Sequence, residues 1–227
     1  MSLSIQIHTF THSPFQINSY VIERKDTQQA ILVDIGRDAD PILNLLNEKQ
    51  LQFDDLLHTH AFIEYMEGQP ALREQLDFLA YMSPMDEFWL AHFDTQAGIL
   101  NVDIIPQAYI DQQVLPEDVF TLADLEMRVL STPGNTPGGT CYYFPQLNAV
   151  FTGDTLYARA IGPTDIPYGN EDKLWESIQN ELFTLPEDTV VYPGRGPSST
   201  LGEIKAAHQQ TPFTSIAYGK GKVPSTL

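Results

Sequence analysis

Two histidines stand two apart in Leu56-Leu57-His58-Thr59-His60-Ala61-Phe62-Ile63-Glu64-Tyr65-Met66-Glu67-Gly68. Further on come Asp154, in Thr152-Gly153-Asp154-Thr155, and Arg195, in Tyr192-Pro193-Gly194-Arg195-Gly196-Pro197. Imidazole and carboxylate ligate divalent metals, and an open place on such a metal turns water into a nucleophile near neutral pH. On an extended strand His58 and His60 would face the same side, so the pair could supply two ligands. A packed, hydrogen-bonded histidine is the commoner state at a strand end, because a two-His spacing alone is a weak signal. Cys141 has no histidine near it in sequence and reads as a buried, inert thiol. His8 and His12 carry no motif.

These side chains need strands and loops to bring them together. Residues 4–10 alternate apolar and polar side chains, which suits a half-buried strand. Residues 19–23 and 30–34 read as two more strands around a polar turn at 24–29. Asp40-Pro41 starts a helix, with Asp as the cap and Pro tolerated in the first turn; Ile42, Leu45 and Leu46 are its apolar stripe. Residues 55–58 form a strand that runs into the histidine loop. A helix follows around 71–75, then a short strand at 79–82. Residues 84–92 read as a helix whose Met85, Phe88, Trp89 and His92 pack as core. Strands are expected at 104–106 and within 119–130. Residues 140–144 and 149–151 pair across a turn at 145–148. Asn170, with Glu171 and Asp172, opens a helix whose Leu174, Ile178 and Leu182 share a face. Residues 189–192 are the final strand and 201–209 a helix. No span is long and apolar enough for a membrane.

The 227 residues are 42% hydrophobic, enough for one domain with a sizeable core. One domain over 1–213 and a Gly-, Lys- and Ser-rich tail over 214–227 are expected. Lys and Arg number 12 against 30 Asp and Glu, a formal net charge of −18. Such a surface repels phosphate backbones and anionic membranes, so no nucleic-acid and no membrane partner is expected. A lone cysteine forms no intrachain disulfide, and the first 22 residues lack the Lys or Arg of a secretory leader. A cytoplasmic location follows as the expectation.

The Leu56–Gly68 stretch resembles the metal-binding signature of the metallo-β-lactamase superfamily, L-L-T-H-G-H-x-D-H-x-G-G. Thr59, His60 and Gly68 match it. Four further stretches carry the resemblance over residues 5–213. Thr132-Pro133-Gly134-Asn135-Thr136-Pro137-Gly138 resembles T-P-G-H-T-P-G. Phe151-Thr152-Gly153-Asp154-Thr155-Leu156 resembles F-T-G-D-x-L. Ile161-Gly162-Pro163-Thr164-Asp165-Ile166-Pro167 resembles I-G-R-T-D-L/F-P, and Val191-Tyr192-Pro193-Gly194-Arg195-Gly196-Pro197 resembles V-Y-P-G-H-G-P. Asp34 and Gly36 fit the family's early strand pattern. The sequence resembles hydroxyacylglutathione hydrolases (glyoxalase II) of the short form. The resemblance implies an α/β (α+β) fold, a four-layer αββα sandwich.

It also implies a dinuclear metal centre, and there the sequence departs. The family's first metal takes three histidines and a bridging Asp, positions held here by His60, Phe62, Asn135 and Asp154. The second would meet Glu64, Tyr65, Asp154 and Arg195. Phe has no lone pair, Asn offers a neutral amide, Tyr ligates only as a phenolate, and Arg is a permanent cation without an acceptor. A vestigial pocket of His60, Phe62, Glu64, Tyr65, Asn135, Asp154 and Arg195 is therefore expected, with no tightly bound cofactor. Two carboxylates ~4 Å apart repel by roughly 4 kcal/mol at an effective dielectric of ~20, and a guanidinium at Arg195 can bridge Glu64 and Asp154 in place of metal charge. An Arg turned to solvent, with one carboxyl protonated, is the alternative.

The family's basic substrate contact is replaced by Pro163, while Tyr142 matches a tyrosine near the family's substrate, though an aromatic on a strand is more often core. The expected function is a non-catalytic binding protein for an unknown small molecule or protein, with homo-oligomerisation open. The alternatives are a residual hydrolase of thioesters or esters with one divalent metal (Fe, Mn or Zn) on His60, Glu64 and Asp154, and metal-free acid–base chemistry by Glu64, Tyr65 and His60. No activated nucleophile is evident for the last.

Overall fold

Strand β2 (Ile17–Arg24) is buried along its whole length, so both of its faces must be covered. The covering layers follow from side-chain alternation. Tyr20 and Ile22 point into a core shared by two sheets, and Val21 points to a helical layer. The computed structural model describes residues 3–103 and 108–218.

The first sheet has the order β1-β2-β3-β4-β5-β6, where β1 is Ile5–His12, β3 Gln29–Val33, β4 Gln52–Leu57, β5 Leu79–Met82 and β6 Gln112–Gln113. β1 to β3 are antiparallel neighbours, and β3 to β6 run parallel. The second sheet has the order β12-β11-β10-β9-β8-β7, where β7 is Val119–Leu122, β8 Leu125–Ser131, β9 Thr140–Phe144, β10 Ala149–Gly153, β11 Val190–Pro193 and β12 Ser199–Thr200. Among the described residues, only β10 and β11 pair in parallel there.

Ile31, Val33 and Leu57 of the first sheet meet Met127, Val129, Tyr142, Phe144 and Phe151 of the second. On the outer face of the first sheet lie α1 (Asp40–Lys49) and α2 (Gln69–Arg73), through Ile42, Leu43, Leu46 and Leu72. On the outer face of the second lie α5 (Glu171–Ser177), its π-helical continuation Ile178–Leu182, and α6 (Leu201–Gln210). Leu174, Ile178 and Leu182 form the expected single face, each fully buried. The architecture is the αββα sandwich. Among the described residues, no helix is long and apolar enough to cross a membrane.

Several local expectations change. Asp40 does not cap α1: the cap position is Ala39, and Asp38 Oδ1 instead accepts from the Asp40 amide at 3.2 Å. Leu43, not Leu45, completes the buried stripe. Residues 84–92 are not one helix. Pro84–Asp86 is a 3-10 turn capped by the Ser83 side chain, followed by α3 (Glu87–Leu90), and α4 (Phe93–Leu100) was not anticipated.

Across the 3-10 turn and into the first turn of α3, side chains three apart fall on one side. Asp86 and Trp89 share the buried line, while Met85 and Phe88 share the outer one at 64% and 43% exposure. Asp86 turns inward because three donors wait there: the amides of Ala61 and Gly138 and the hydroxyl of Thr136. β6 and β12 are two-residue strands without a readable alternation. The strand expected at residues 104–106 lies outside the described residues.

The end of the sandwich that matters is the one where β4, β10 and β11 stop. The buried Asp86 carboxylate ties the loop after β4 to the loop after β8 there. Leaving a buried donor unpaired costs ~1–3 kcal/mol, and Asp86→Ala strands two amides at once. Its unfolding midpoint in urea should fall by an amount equivalent to roughly 3 kcal/mol or more, with Asp86→Asn milder. A midpoint like the parent's would show that water satisfies those amides.

Candidate functional site: an ion pair at the end of the sandwich

The site is assembled from loop residues one to eight positions beyond strand ends. After β4, Thr59 is fixed first: its amide and hydroxyl both donate to Asp34, at 2.9 and 2.8 Å. The hydroxyl then accepts from His60 Nδ1 at 2.9 Å. That relay fixes the tautomer of His60 and leaves a lone pair on Nε2. The 3-10 turn Ile63–Tyr65 carries Glu64 and Tyr65 inward. Gln96 pins that turn by accepting from the Ile63 amide and donating to the carbonyls of Ala61 and Trp89.

Asp154 and Arg195 follow directly from β10 and β11. Two glycines permit the approach. Gly153 sits at φ +49°, and a Cβ there would lie 2.3 Å from the Thr59 hydroxyl. A Cβ on Gly194 would lie 2.5 Å from the Tyr65 hydroxyl.

Arg195 enters the site and is only 7% exposed. Its Nη2 lies 3.0 Å from Glu64 Oε1 and 3.5 Å from Asp154 Oδ2. Its Nη1 donates to the Phe15 carbonyl at 2.8 Å, and the guanidinium carbon stands 5.3 Å from the centre of the Tyr65 ring. Tyr65 donates a very short hydrogen bond to Asp154 Oδ1. His60 Nε2 is 3.9 Å from Asp154 Oδ2. Phe62 meets the His60 ring edge-on at 4.6 Å and packs against Trp89 at 5.4 Å. His60, Phe62, Glu64, Tyr65, Asp154 and Arg195 are thus brought together.

Asn135 is buried too, but its side-chain amide is taken up by the Pro163 carbonyl at 2.7 Å. His58 is fully buried, its Nε2 in contact with the Gln69 amide at 3.2 Å and its Nδ1 4.0 Å from Asp34. Tyr142 belongs to the inter-sheet core, and its hydroxyl donates to the His58 carbonyl.

Two further tyrosines that no sequence motif marks border the site. Tyr157 lies beside Asp154 and Arg195, and Tyr218 lies beside Glu64, each short of hydrogen-bond geometry. Tyr157 is three residues past Asp154, which is the only sequence hint. Tyr218 had none. Among the described residues, His60 Nε2, Glu64 Oε2, Arg195 Nε and both tyrosine hydroxyls are buried without a hydrogen-bond partner.

Electrostatics separates the two carboxyls. Burial pushes Asp154 up, but Arg195, His60, Tyr157 and Tyr65 together outweigh it and hold Asp154 below the ordinary range. Burial raises Glu64 to about 7, with Arg195 only partly opposing. Burial raises Asp34 to about 8 against the Thr59 hydrogen bonds. Burial lowers His60 to about 4 and His58 to about 3. Asp154 is therefore the fixed anion and Glu64 the group that gains or loses a proton near neutrality.

A model of the metallo-beta-lactamase superfamily matches residues 12–195. A probable metallo-hydrolase of Bacillus subtilis, YqgX, is 30% identical over 201 residues, covering 88% of this chain and 93% of its own. The hydroxyacylglutathione hydrolase GloC of Haemophilus influenzae is 27% identical over 188 residues, covering 81% and 87%. The crystal structure of the B3 metallo-beta-lactamase BLEG-1 superposes with a TM-score of 0.82 at 29% identity, covering 87% and 95%. The two-sheet architecture and the order of the loops are those of this group.

Folding raises the proton affinity of Glu64 and Asp34 and lowers that of the two histidines. The carboxyl contribution to stability is complete below the ordinary carboxyl values of 4.5 and 3.8, and is lost as pH rises through about 7 and 8. The histidine contribution is complete above the ordinary 6.5 and is lost as pH falls through about 4 and 3. Between these limits the slopes oppose; above pH 6.5 only the carboxyl slope remains. The melting temperature should fall between about pH 6.5 and 8.5, and Glu64→Gln should flatten that fall. A flat profile in the parent protein would refute this assignment.

Removing the guanidinium strands two buried carboxylates. Breaking a buried pair from one side costs ~3–5 kcal/mol, so Arg195→Ala should lose stability of that order. Adding Glu64→Gln should recover part of the loss, which a double-mutant cycle measures directly. An Arg195→Ala protein that melts like the parent would mean that the pair contributes nothing.

Proposed function

We propose, since the chain belongs to the metallo-β-lactamase superfamily, that it is a member whose dinuclear metal site has been replaced by an internal ion pair, and that it works as a binding protein and not as a hydrolase. The single observation that carries this reading is the position of the Arg195 guanidinium. It stands between Glu64 and Asp154, where a cation is needed to hold two carboxylates together.

The donor set does not fit a pair of metals. Phe62 and Arg195 offer no lone pair. The Asn135 amide is bound to Pro163, and the Tyr65 phenol, kept protonated by burial, donates to Asp154. Among the described residues, no group of three or more His, Cys, Asp or Glu is placed to hold a metal ion. Catalysis in this fold would need an activated water, and the residues here supply no other activated nucleophile.

Glutathione thioesters are weak candidates for the ligand, because Pro163 occupies the place of a basic contact. The ligand is instead a small molecule or a protein surface that meets this end of the sandwich. The acidic surface, with a formal net charge of −18, disfavours nucleic acid. The buried lone Cys141 fits a reducing, cytoplasmic setting.

One observation favours the rival reading, a residual one-metal hydrolase. His60 Nε2 presents an unpartnered lone pair 3.9 Å from Asp154. A metal held by His60, Glu64 and Asp154 would first require Arg195 to leave.

Elemental analysis after dialysis separates the two readings, together with assays on S-lactoylglutathione with and without added zinc, iron or manganese. Sub-stoichiometric metal and no turnover above background are expected. Stoichiometric metal, or metal-dependent turnover that Asp154→Ala abolishes, would overturn the proposal.

A further inference from the structure

We infer that residues 214–218 form a strap whose Tyr218 seals the ion-paired pocket, and that a small polar ligand reaches the pocket only when the strap lifts. The inference rests on the proposed binding role for its purpose, but not for its geometry.

The strap is held at its edges. The Ile161 amide donates to the Thr214 carbonyl at 3.3 Å, and the Ile216 amide donates to the Ile161 carbonyl at 3.1 Å. Ser215 Oγ donates to Glu171 at 3.1 Å, and the Tyr218 amide donates to Asp165 Oδ1 at 2.9 Å. Glu171, Asp165, Thr214 and Ala217 are exposed. The bonds to the exposed Glu171 and Asp165 are open to water, the kind of contact that opens at low free energy, whereas the two bonds to Ile161, which is fully buried, hold the start of the segment down.

The inner side of the strap differs. The Tyr218 ring lies 4.9 Å from the ring of Phe62, in the aromatic cluster that also contains Trp89. Its hydroxyl is buried beside Glu64 without a hydrogen-bond partner. Beneath it, Glu64 Oε2 and His60 Nε2 are unpartnered acceptors, and Arg195 Nε and the Tyr157 hydroxyl are unpartnered donors. Buried polar groups are normally paired, so each one left over carries a cost that a ligand or water can remove.

Two acceptors beside three donors match a neutral group that both donates and accepts, such as a primary amide or a protonated carboxylic acid. Arg195 is already shared between two carboxyls, so a fully charged anion is disfavoured.

The geometry is tested by acrylamide quenching of Trp89 fluorescence in a Trp175→Phe background, since the chain has only two tryptophans. Trp89 is 3% exposed, one ring removed from Tyr218 through Phe62. Tyr218→Ala, and separately Asp165→Ala, which loosens the strap from its exposed edge, should each raise the quenching constant several-fold. Tyr218→Phe keeps the ring and should leave it unchanged. Circular dichroism of each variant verifies the fold, and Asp165→Ala serves if Tyr218→Ala does not fold.

Unchanged quenching in a folded Tyr218→Ala or Asp165→Ala protein would overturn the strap, whatever the metal content. Acetamide and acetate are the ligand probes: tighter acetamide binding to Asp165→Ala than to the parent supports the neutral-polar class, and a preference for acetate would overturn it. Metal analysis of the same samples reports on the binding-protein reading separately.

Discussion

Two ionised carboxylates buried side by side need a cation, or else one of them must keep its proton. Glu64 and Asp154 are each about 2% exposed or less, and at an effective dielectric of ~20 their repulsion would be several kcal/mol. Arg195 resolves this by hydrogen-bonding both at once. Nη2 makes both contacts; a guanidinium suits the task better than an ammonium because its second nitrogen reaches the Phe15 carbonyl at the same time and it is less strongly hydrated. The Phe15 carbonyl and the Tyr65 ring complete its surroundings. The residual imbalance falls on Glu64, whose proton affinity rises to about 7, and not on Asp154. The reason is geometric: Asp154 also has His60, Tyr65 and Tyr157 around it.

The rest of this end of the molecule is organised to hold those few atoms. Asp34, at φ +54° just past β3, anchors Thr59, and Thr59 orients His60. Asp86 ties the loop carrying His60 to the loop carrying Asn135. Gln96 fixes the turn carrying Glu64 and Tyr65. These positioning groups are themselves buried polar side chains with their hydrogen bonds made, which is the condition for a polar network to rigidify a structure. Among the described residues, unpartnered buried atoms on His60, Glu64, Tyr157, Arg195 and Tyr218 gather at the centre that this network surrounds, and the others are on His12, His58, Arg73 and Trp89.

Much of the architecture was readable in the sequence because burial imposes a period. β3 and β10 carry the short apolar runs 30–33 and 149–151 between turn residues, and Leu174, Ile178 and Leu182 keep a helical spacing even where the helix widens into a π-turn. The failures have equally local causes. The stripe from Met85 to His92 was read with a helical period, but Ser83 and Pro84 open a 3-10 turn, and the buried polar Asp86 takes the inward line. A polar residue that points inward looks like surface to any pattern based on hydropathy. β6 and β12 are too short to alternate. Within the site, ordered motifs located Glu64, Tyr65, Asp154 and Arg195, because each replaces or keeps a residue at a fixed place in a resembling sequence. Tyr218 had no such frame. It reaches the pocket from 23 positions beyond Arg195 in the chain, and only three-dimensional contact could reveal it.

If a guanidinium stands in for metal charge, as proposed, a single restored ligand would not readily return the pocket to metal binding. Metal ligands must be deprotonated before they bind, so metal affinity carries the cost of removing protons. Here the neighbours have moved the wrong way for a metal: Glu64 holds its proton up to about 7, and the Tyr65 phenol holds its proton far above the ordinary range. Phe62 fills with carbon the space where a further ligand would stand, and its ring packs on His60. A histidine at position 195 would therefore meet one ready imidazole and one ready carboxylate, His60 and Asp154, in a setting where burial has been balanced around a cation. The interactions couple through shared partners, and coupled sites do not add. The ion pair is thus a property of the whole constellation and not of Arg195 alone.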